Sequence, residues 1–229
     1  CSSATDGSSM AEALVEACEI TRTYQLGPET VVAVARTDCV IEPNARIALL
    51  GRSGSGKSTL LQILGGIETP TGGIVRWPAL GPRETLRPKQ IAFVFQRESL
   101  VEPLSVLENV ELPLLLAGIA PSDARGRALE ALRLFSLEDL GEKLPEELSG
   151  GQAQRVAFVR ALAQRPRLIL ADEPTGQLDT ETADRFLSIA FAEVEREQVA
   201  LVVATHDARL AARLRTRWWI DRGRLEVGG

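Results

Sequence analysis

A short apolar segment, Arg46–Leu50, runs straight into Gly51-Arg52-Ser53-Gly54-Ser55-Gly56-Lys57-Ser58, and Lys57–Leu64 then carries helical spacing. A strand, a glycine-rich loop and a helix in immediate succession constrain the fold more than any other feature of the chain, because the loop must curl tightly between two regular elements. Glycines at 51, 54 and 56 let successive N–H groups point inward, forming an anion cradle reinforced by the start of the helix. The pattern is that of a phosphate loop, with Lys57 placed to reach β- and γ-phosphates and the Ser58 hydroxyl to ligate Mg2+. A flexible glycine–serine linker is the competing reading; the Lys-Ser ending and the flanking elements weigh against it.

Around this unit the hydrophobic periodicity alternates between strand and helix. Leu14–Tyr24 and Thr30–Ile41, separated by Gly27-Pro28, predict two strands joined by a turn, and Gly72–Trp77 and Ile91–Phe95 read as further strands. From Gln96 the texture changes. Val106–Leu116, Ser122–Phe135 and Leu137–Gly141 show helical spacing, with no strand candidate until Leu168. Pro121 with Ser122, and Ser149, mark helix starts, where a hydroxyl accepts a first-turn amide. After the helix Gly150–Gln164 come strand Leu168–Ala171, helix Glu181–Arg196, strand Val199–Ala204, a short helix from Asp207, and a closing pair at Trp218–Ile220 and Arg224–Val227. The expected architecture is α/β, a mostly parallel sheet covered on both faces, with an antiparallel N-terminal β portion and an inserted helical subdomain. The expected division is an α/β core of residues 10–96 and 149–229 and a helical subdomain of 97–148. Residues 1–9, small and polar, are read as an appended remnant or frayed terminus outside the fold.

Composition narrows the function. The 229 residues, 45% hydrophobic, suffice for one large domain or a core with a small subdomain. A net charge of −5 argues against a nucleic-acid partner, which usually demands a basic surplus. Cys1, Cys18 and Cys39 are too scattered for a zinc site or a disulfide framework, which fits a reducing compartment. No apolar run approaches the roughly 20 residues that span a bilayer; the longest candidate, Leu112–Ala120, is broken by Pro113 and Gly118. A membrane role would need another polypeptide to do the spanning.

Leu168-Ile169-Leu170-Ala171-Asp172-Glu173 supplies a second half to the site. An apolar strand ending in two carboxylates is hard to explain as structure alone, although surface carboxylates at a strand end compete as an explanation. Neighbouring strand residues project to opposite sides, so Asp172 is assigned to the Mg2+ shell and Glu173 to polarising an attacking water. His206, the sole histidine, follows strand Val199–Ala204 directly. A lone histidine is more often a cap or a surface residue, but the carboxyl end of a strand in such a sheet is where ligands sit, within reach of a γ-phosphate. Leu148-Ser149-Gly150-Gly151-Gln152 opens a helix, and either merely caps it or forms a second anion-binding surface.

Taken in order, Gly51–Ser58, Gln96, Leu148–Gln152, Leu168–Glu173, Leu178-Asp179 and His206 resemble the ATP-binding cassette of ABC transporters, a phosphate-loop ATPase fold, over nearly the whole chain from Leu14. The resemblance implies ATP and Mg2+ as cofactors and a head-to-tail dimer of two copies. Gly51, Ser53, Gly54, Ser55, Gly56, Lys57, Ser58 and Thr59 would hold the nucleotide in one subunit, with Tyr24 stacked on adenine. Ser149, Gly150, Gly151 and Gln152 would press on the ATP of the partner, and Asp179 would lie in the loop linking the two sites. Glu173, His206 and Gln96 would be catalytic, with Gln96 sensing Mg2+ and the γ-phosphate; Ser58, Gln96 and Asp172 would be the metal ligands. Phe93-Val94-Phe95-Gln96, Leu107-Glu108-Asn109-Val110 and Ala171-Asp172-Glu173-Pro174-Thr175-Gly176 are most similar to the branch serving lipoprotein release, macrolide export and the cell-division complex. The chain departs from that branch in a short Arg76–Gln90 stretch and in Gln177, where asparagine is more usual. A separately encoded membrane permease is then implied, docked in a groove near Gln96–Pro113 at the cytoplasmic face of the inner or plasma membrane. A soluble ABC-type ATPase acting on nucleic acid or ribosomes is the alternative, but the long coiled coils, zinc modules or second cassette common there are not in the sequence. A phosphate-loop kinase or GTPase predicts an acceptor-site lid or an Asn-Lys-x-Asp guanine reader; no such reader occurs.

Overall fold

The computed structural model describes residues 12–96 and 99–228 and divides into two compact units. One is drawn from the described residues up to Leu86 and from Ala204 onward; the other is Arg87–Val203. Residues 1–9, read as an appended remnant or frayed terminus, lie with Cys1 outside the described residues.

The first unit opens with a long antiparallel hairpin, β1 (Val15–Leu26) and β2 (Glu29–Ile41). The predicted Gly27-Pro28 turn joins them, and Gly27 takes φ 63°, the left-handed value a two-residue hairpin turn requires. On the other side of β1 lies β4 (Gly72–Arg76), also antiparallel. β3 (Arg46–Leu50) is buried from Ile47 to Leu50 and feeds α1 (Lys57–Leu64) through the glycine loop. β8 (Thr216–Asp221) runs parallel to β3 and antiparallel to β9 (Arg224–Val227), while α6 (Ala208–Ala212) precedes them. Cys39 is buried in β2, and burial together with the neighbouring Asp38 pushes its thiol up to about 12. Cys18 is half-buried, and among the described residues neither cysteine is in a disulfide.

In the second unit β5 (Ile91–Val94), β6 (Leu168–Asp172) and the first four residues of β7 (Ala200–Thr205) are sheet neighbours in that order, with β5 and β6 parallel. Every residue of β6 and β7 is buried, which matches their unbroken apolar runs and marks strands covered on both faces. The helices are α2 (Val106–Leu116), α3 (Pro121–Leu134), α4 (Gly150–Ala163) and α5 (Thr180–Arg196). Phe186, Leu187, Ala190 and Val194 form the buried stripe of α5. Phe186 meets Phe135 and Phe158 at centroid distances of 5.2 and 5.3 Å, tying α5 to α4 and the end of α3.

Two local expectations are corrected. Ser122 does not cap α3: Ala120 is the N-cap, and Pro121 fills the first helical position, where its fixed φ fits and its missing N–H costs nothing. Leu137–Gly141 is not an α-helix but a single 3-10 turn, Glu138–Leu140. Ser136 turns left-handed at φ 52° after α3, leaving too little chain for a longer helix. Among the described residues no helix is long and apolar enough to cross a membrane.

Candidate nucleotide-binding site

The phosphate loop is shaped by two separate demands on its glycines. A Cβ on Gly51 would lie 2.3 Å from the Ile220 carbonyl oxygen, and one on Gly56 would lie 2.1 Å from that of Ala33. Gly54 faces open space, yet adopts φ 75°, and Gly56 adds φ 107° to its crowding. The loop is pinned from behind by the β8–β9 turn: Gly223 N–H donates to Ser55 O at 2.9 Å, and Gly223 O accepts from Ala35 N at 2.8 Å. Lys57 is buried, and its Nζ donates to the carbonyls of Gly51 and Arg52 at 2.8 and 3.0 Å. Its charge therefore stands over the cradle. The first turn of α1 carries neither an acidic residue nor a side-chain cap, which leaves its amides available to an external anion. Ser53 and Ser58 are exposed, Thr59 is half-buried, and the buried Ser55 Oγ has no partner among the described residues.

His206, exposed just after β7, lines a cavity of about 730 Å³ together with Gly51, Arg52, Arg217 and Trp219. The structure thus brings the sole histidine beside the phosphate loop. Tyr24 sits on β1 opposite Val31, half-buried. The Arg22 guanidinium lies over its ring, 4.5 Å from the centroid, and its hydroxyl donates to Glu68 at 3.4 Å.

The second unit gathers the remaining residues. Asp172 closes β6, and Glu173 follows in the left-handed region at φ 47°; both are more than nine-tenths buried, at 9% and 8% exposure. A non-glycine residue held there stores strain, and the surroundings hold it. Glu173 O accepts from Gln154 Nε2 at 2.7 Å and from Gly176 N at 3.1 Å, while Gln154 Oε1 accepts from Gln177 N at 2.9 Å. The buried Gln154 amide of α4 is the post around which the Glu173–Gln177 loop is wound.

Ser149 caps α4 as predicted. Its hydroxyl accepts from Gln152 N at 3.2 Å, and Gln152 Oε1 accepts from Ser149 N at 2.9 Å, a reciprocal capping box. Gly150 and Gly151 lie against the same loop that Gln154 holds: a Cβ on Gly150 would stand 2.0 Å from the Gln177 side-chain Oε1, and one on Gly151 2.9 Å from Leu178 Cδ2 and 3.0 Å from the Gln177 carbonyl oxygen. Asp179 caps α5, accepting from the Thr182 amide at 3.0 Å, and the Thr182 hydroxyl together with that amide holds its carboxyl below the usual carboxylate range. Gln96 follows β5 and is exposed.

A family model described as ABC transporter matches residues 34–176, more than half of the chain. The lipoprotein-releasing system ATP-binding protein LolD of Legionella pneumophila (strain Lens) is 39% identical over 212 residues, covering 90% of this chain and 93% of that protein. LolD of Chromohalobacter salexigens is 40% identical over 216 residues, covering 91% of each. Among solved structures, the dimeric post-hydrolysis state of the ATP-binding cassette MJ0796 bound to ADP and Pi has a TM-score of 0.85 at 36% identity, covering 93% of this chain and 98% of that one. The chain belongs to the ABC transporter family.

As an ABC-type ATPase, the cassette relies on residues that its sequence did not single out. Gly223 had a visible signal, since Arg222-Gly223 separates two apolar strands and such a turn favours glycine at positive φ, here 77°. Gln154 had none, being one of two glutamines in the first turns of α4. Asn109 is fully buried in α2: its Oδ1 accepts from Val101 N at 2.7 Å, and its Nδ2 donates to the carbonyls of Val101, Leu104 and Ser105 at 3.1, 2.9 and 3.0 Å. Arg160 of α4 donates to Ser99 O at 2.8 Å and Ser99 Oγ at 2.7 Å, and burial draws its pKa below the ordinary arginine value. Together they fasten the segment from Ser99 to Ser105. Among the described residues no group of three His, Cys, Asp or Glu could hold a metal alone. The expected ligands Ser58, Gln96 and Asp172 offer oxygen atoms, which suit Mg2+ when substrate phosphates complete its shell.

Proposed function

We propose that the cassette powers a separately encoded membrane permease by closing on ATP with a second copy of itself, head to tail, and parting after hydrolysis. Residues 10–96 and 149–229 act as the ATP-binding core, and 97–148 pass the motion to the permease through a groove near Gln96–Pro113. Through that partner the cassette rides on the cytoplasmic face of the membrane. Lys57 and the loop amides bind the phosphates, Tyr24 stacks on the base, and Ser58, Asp172 and Gln96 hold Mg2+. When bound, Mg2+ supplies charge stabilisation at the phosphate oxygens. Glu173 orients and polarises the attacking water, and His206 hydrogen-bonds the γ-phosphate. Ser149 to Gln152, at the positive end of α4, grip the partner's ATP, and Asp179 lies in the loop linking the two sites.

One observation carries this reading. Gln154 of α4 bridges Glu173 O and Gln177 N at 2.7 and 2.9 Å, and Gln177-Leu178 pack on Gly150 and Gly151, so the second anion-holding surface and the Glu173 loop form one body. A surface meant for the partner's phosphate would then be built onto the hydrolytic loop. The relatives named as lipoprotein-releasing ATP-binding proteins favour a permease of that kind, and the dimeric ADP-bound cassette favours the paired arrangement.

Glu173→Gln tests the mechanism. The variant should bind ATP as tightly as the parent, lose nearly all turnover, and elute as an ATP-dependent dimer in size-exclusion chromatography. Undiminished turnover would remove Glu173 from its role.

A further inference from the structure

Tyr24 is held at two points. Besides the guanidinium on its face and the Glu68 Oε2 that its hydroxyl reaches, Arg22 Nη2 pairs with Glu68 Oε1 at 3.0 Å, which closes a three-residue ring. Glu68 is itself steadied by the Thr69 amide, which donates to Oε1 at 3.0 Å. We propose that Arg22 and Glu68 are positioning residues for the nucleobase: Arg22 backs one face of the Tyr24 ring, so that the base stacks on the other. The inference rests on the reading of Tyr24 as the base platform.

The hairpin places this cluster next to the phosphate cradle. Arg22 and Tyr24 pair with Val34 and Val31 of β2, and between those partners lies Ala33, whose carbonyl sits against Gly56 of the phosphate loop. One nucleotide can therefore span from cradle to ring. Arg22 and Glu68 are both partly exposed, so their ion pair contributes little stability by itself. Its effect is orientation. A guanidinium centred 4.5 Å from the ring centroid holds the ring and covers one of its faces. A ring already fixed loses less side-chain freedom when the base arrives, which strengthens binding without any new contact to the ligand. Because the hydroxyl is committed to Glu68, the platform presents a π-face and no hydrogen-bond donor. Stacking of that kind tolerates different bases, so ATP and GTP should benefit alike.

The test compares binding of MgATP, MgGTP and inorganic tripolyphosphate to the full chain and to Arg22→Ala, Arg22→Lys and Tyr24→Ala, with steady-state ATPase kinetics alongside. Arg22→Ala should weaken ATP and GTP by roughly three- to ten-fold, raise KM with kcat unchanged, and leave tripolyphosphate binding as it was. Arg22→Lys should fall between, because an ammonium keeps the pair with Glu68 but not the planar cover. If Tyr24→Ala weakens ATP while Arg22→Ala leaves it within about two-fold, Arg22 does not position the ring although Tyr24 remains the platform. If Tyr24→Ala itself leaves ATP affinity unchanged, the platform reading falls and this inference with it. Equal weakening of tripolyphosphate by Arg22→Ala would show a general disturbance of the fold and overturn the proposal.

Discussion

Removing the Gln154 amide should release the loop that carries Glu173. The buried side chain bridges two backbone groups, donating to Glu173 O at 2.7 Å and accepting from Gln177 N at 2.9 Å. In Gln154→Ala the Gln177 N–H loses its acceptor, whereas Glu173 O keeps the Gly176 amide at 3.1 Å. At about 1 kcal/mol for each of the two net hydrogen bonds, plus part of the penalty for an orphaned donor, the loss comes to roughly 3 kcal/mol. For a chain of this length that lowers Tm by about 6–12 °C. Turnover should suffer more than stability suggests: a carboxylate displaced by even about 1 Å can cost up to roughly 100-fold in rate, so kcat should fall well beyond KM. Gln154→Glu sharpens the test. It keeps an acceptor for Gln177 N but sets a carboxylate oxygen against Glu173 O, where only the protonated acid can donate. Its native pKa is therefore raised, and the stability it contributes is present below the ordinary glutamate value and lost as pH rises through the raised one. Thermal melts should show this variant less impaired at pH 5 than at pH 8. A Gln154→Ala protein with parental Tm and kcat, or a Gln154→Glu protein indifferent to pH, would refute the argument.

Two further perturbations separate crowding from conformation and charge from hydrogen bonding. Gly56→Ala combines a 2.1 Å clash with φ 107° and should cost about 3 kcal/mol or more in urea unfolding and abolish ATP binding, whereas Gly54→Ala, strained at φ 75° but unobstructed, should cost about 1–2 kcal/mol; equal effects would show that the Ala33 contact is not what demands Gly56. Asp179 has a lowered pKa because the Thr182 hydroxyl, and after it the Thr182 amide, bonds its carboxylate, so its stabilising effect is present above the ordinary aspartate value and lost as pH falls through the lowered one. Asp179→Asn keeps the acceptor oxygen and removes the charge; its acid limb in urea melts from pH 2 to 7 should be flatter than the parent's, and superimposable limbs would contradict the assignment.

Elements set by local chemistry were legible in the sequence to the residue. Arg46–Leu50, Lys57–Leu64 and Val106–Leu116 have the predicted bounds, because glycine loops and a Ser105–Glu108 capping box declare their ends. Ser149 was legible as a cap for the same reason, while Ser122 misled because Pro121 claims the start of that helix on backbone grounds alone. Gly150 and Gly151 were read as part of an anion-binding helix start. Their close packing is against Gln177 and Leu178, more than two dozen residues on, and a contact so distant leaves no mark in local spacing. The structural roles of Gln154, Asn109 and Arg160 escaped notice for a related reason. A buried polar side chain that satisfies remote backbone looks, in sequence, like any exposed one.

α4 is gripped along its length. Its first turn bears on Gln177-Leu178, Gln154 holds Glu173, and Arg160, a few residues from the far end, clasps Ser99. Fourteen residues of helix make a rod of about 21 Å. Tilted by only about 5°, such a rod carries one end roughly 2 Å sideways relative to the other, more than a hydrogen bond can stretch and survive. A small rocking at the serine end must therefore either drag the strand-to-helix segment at Ser99 along with it or snap the arginine clasp.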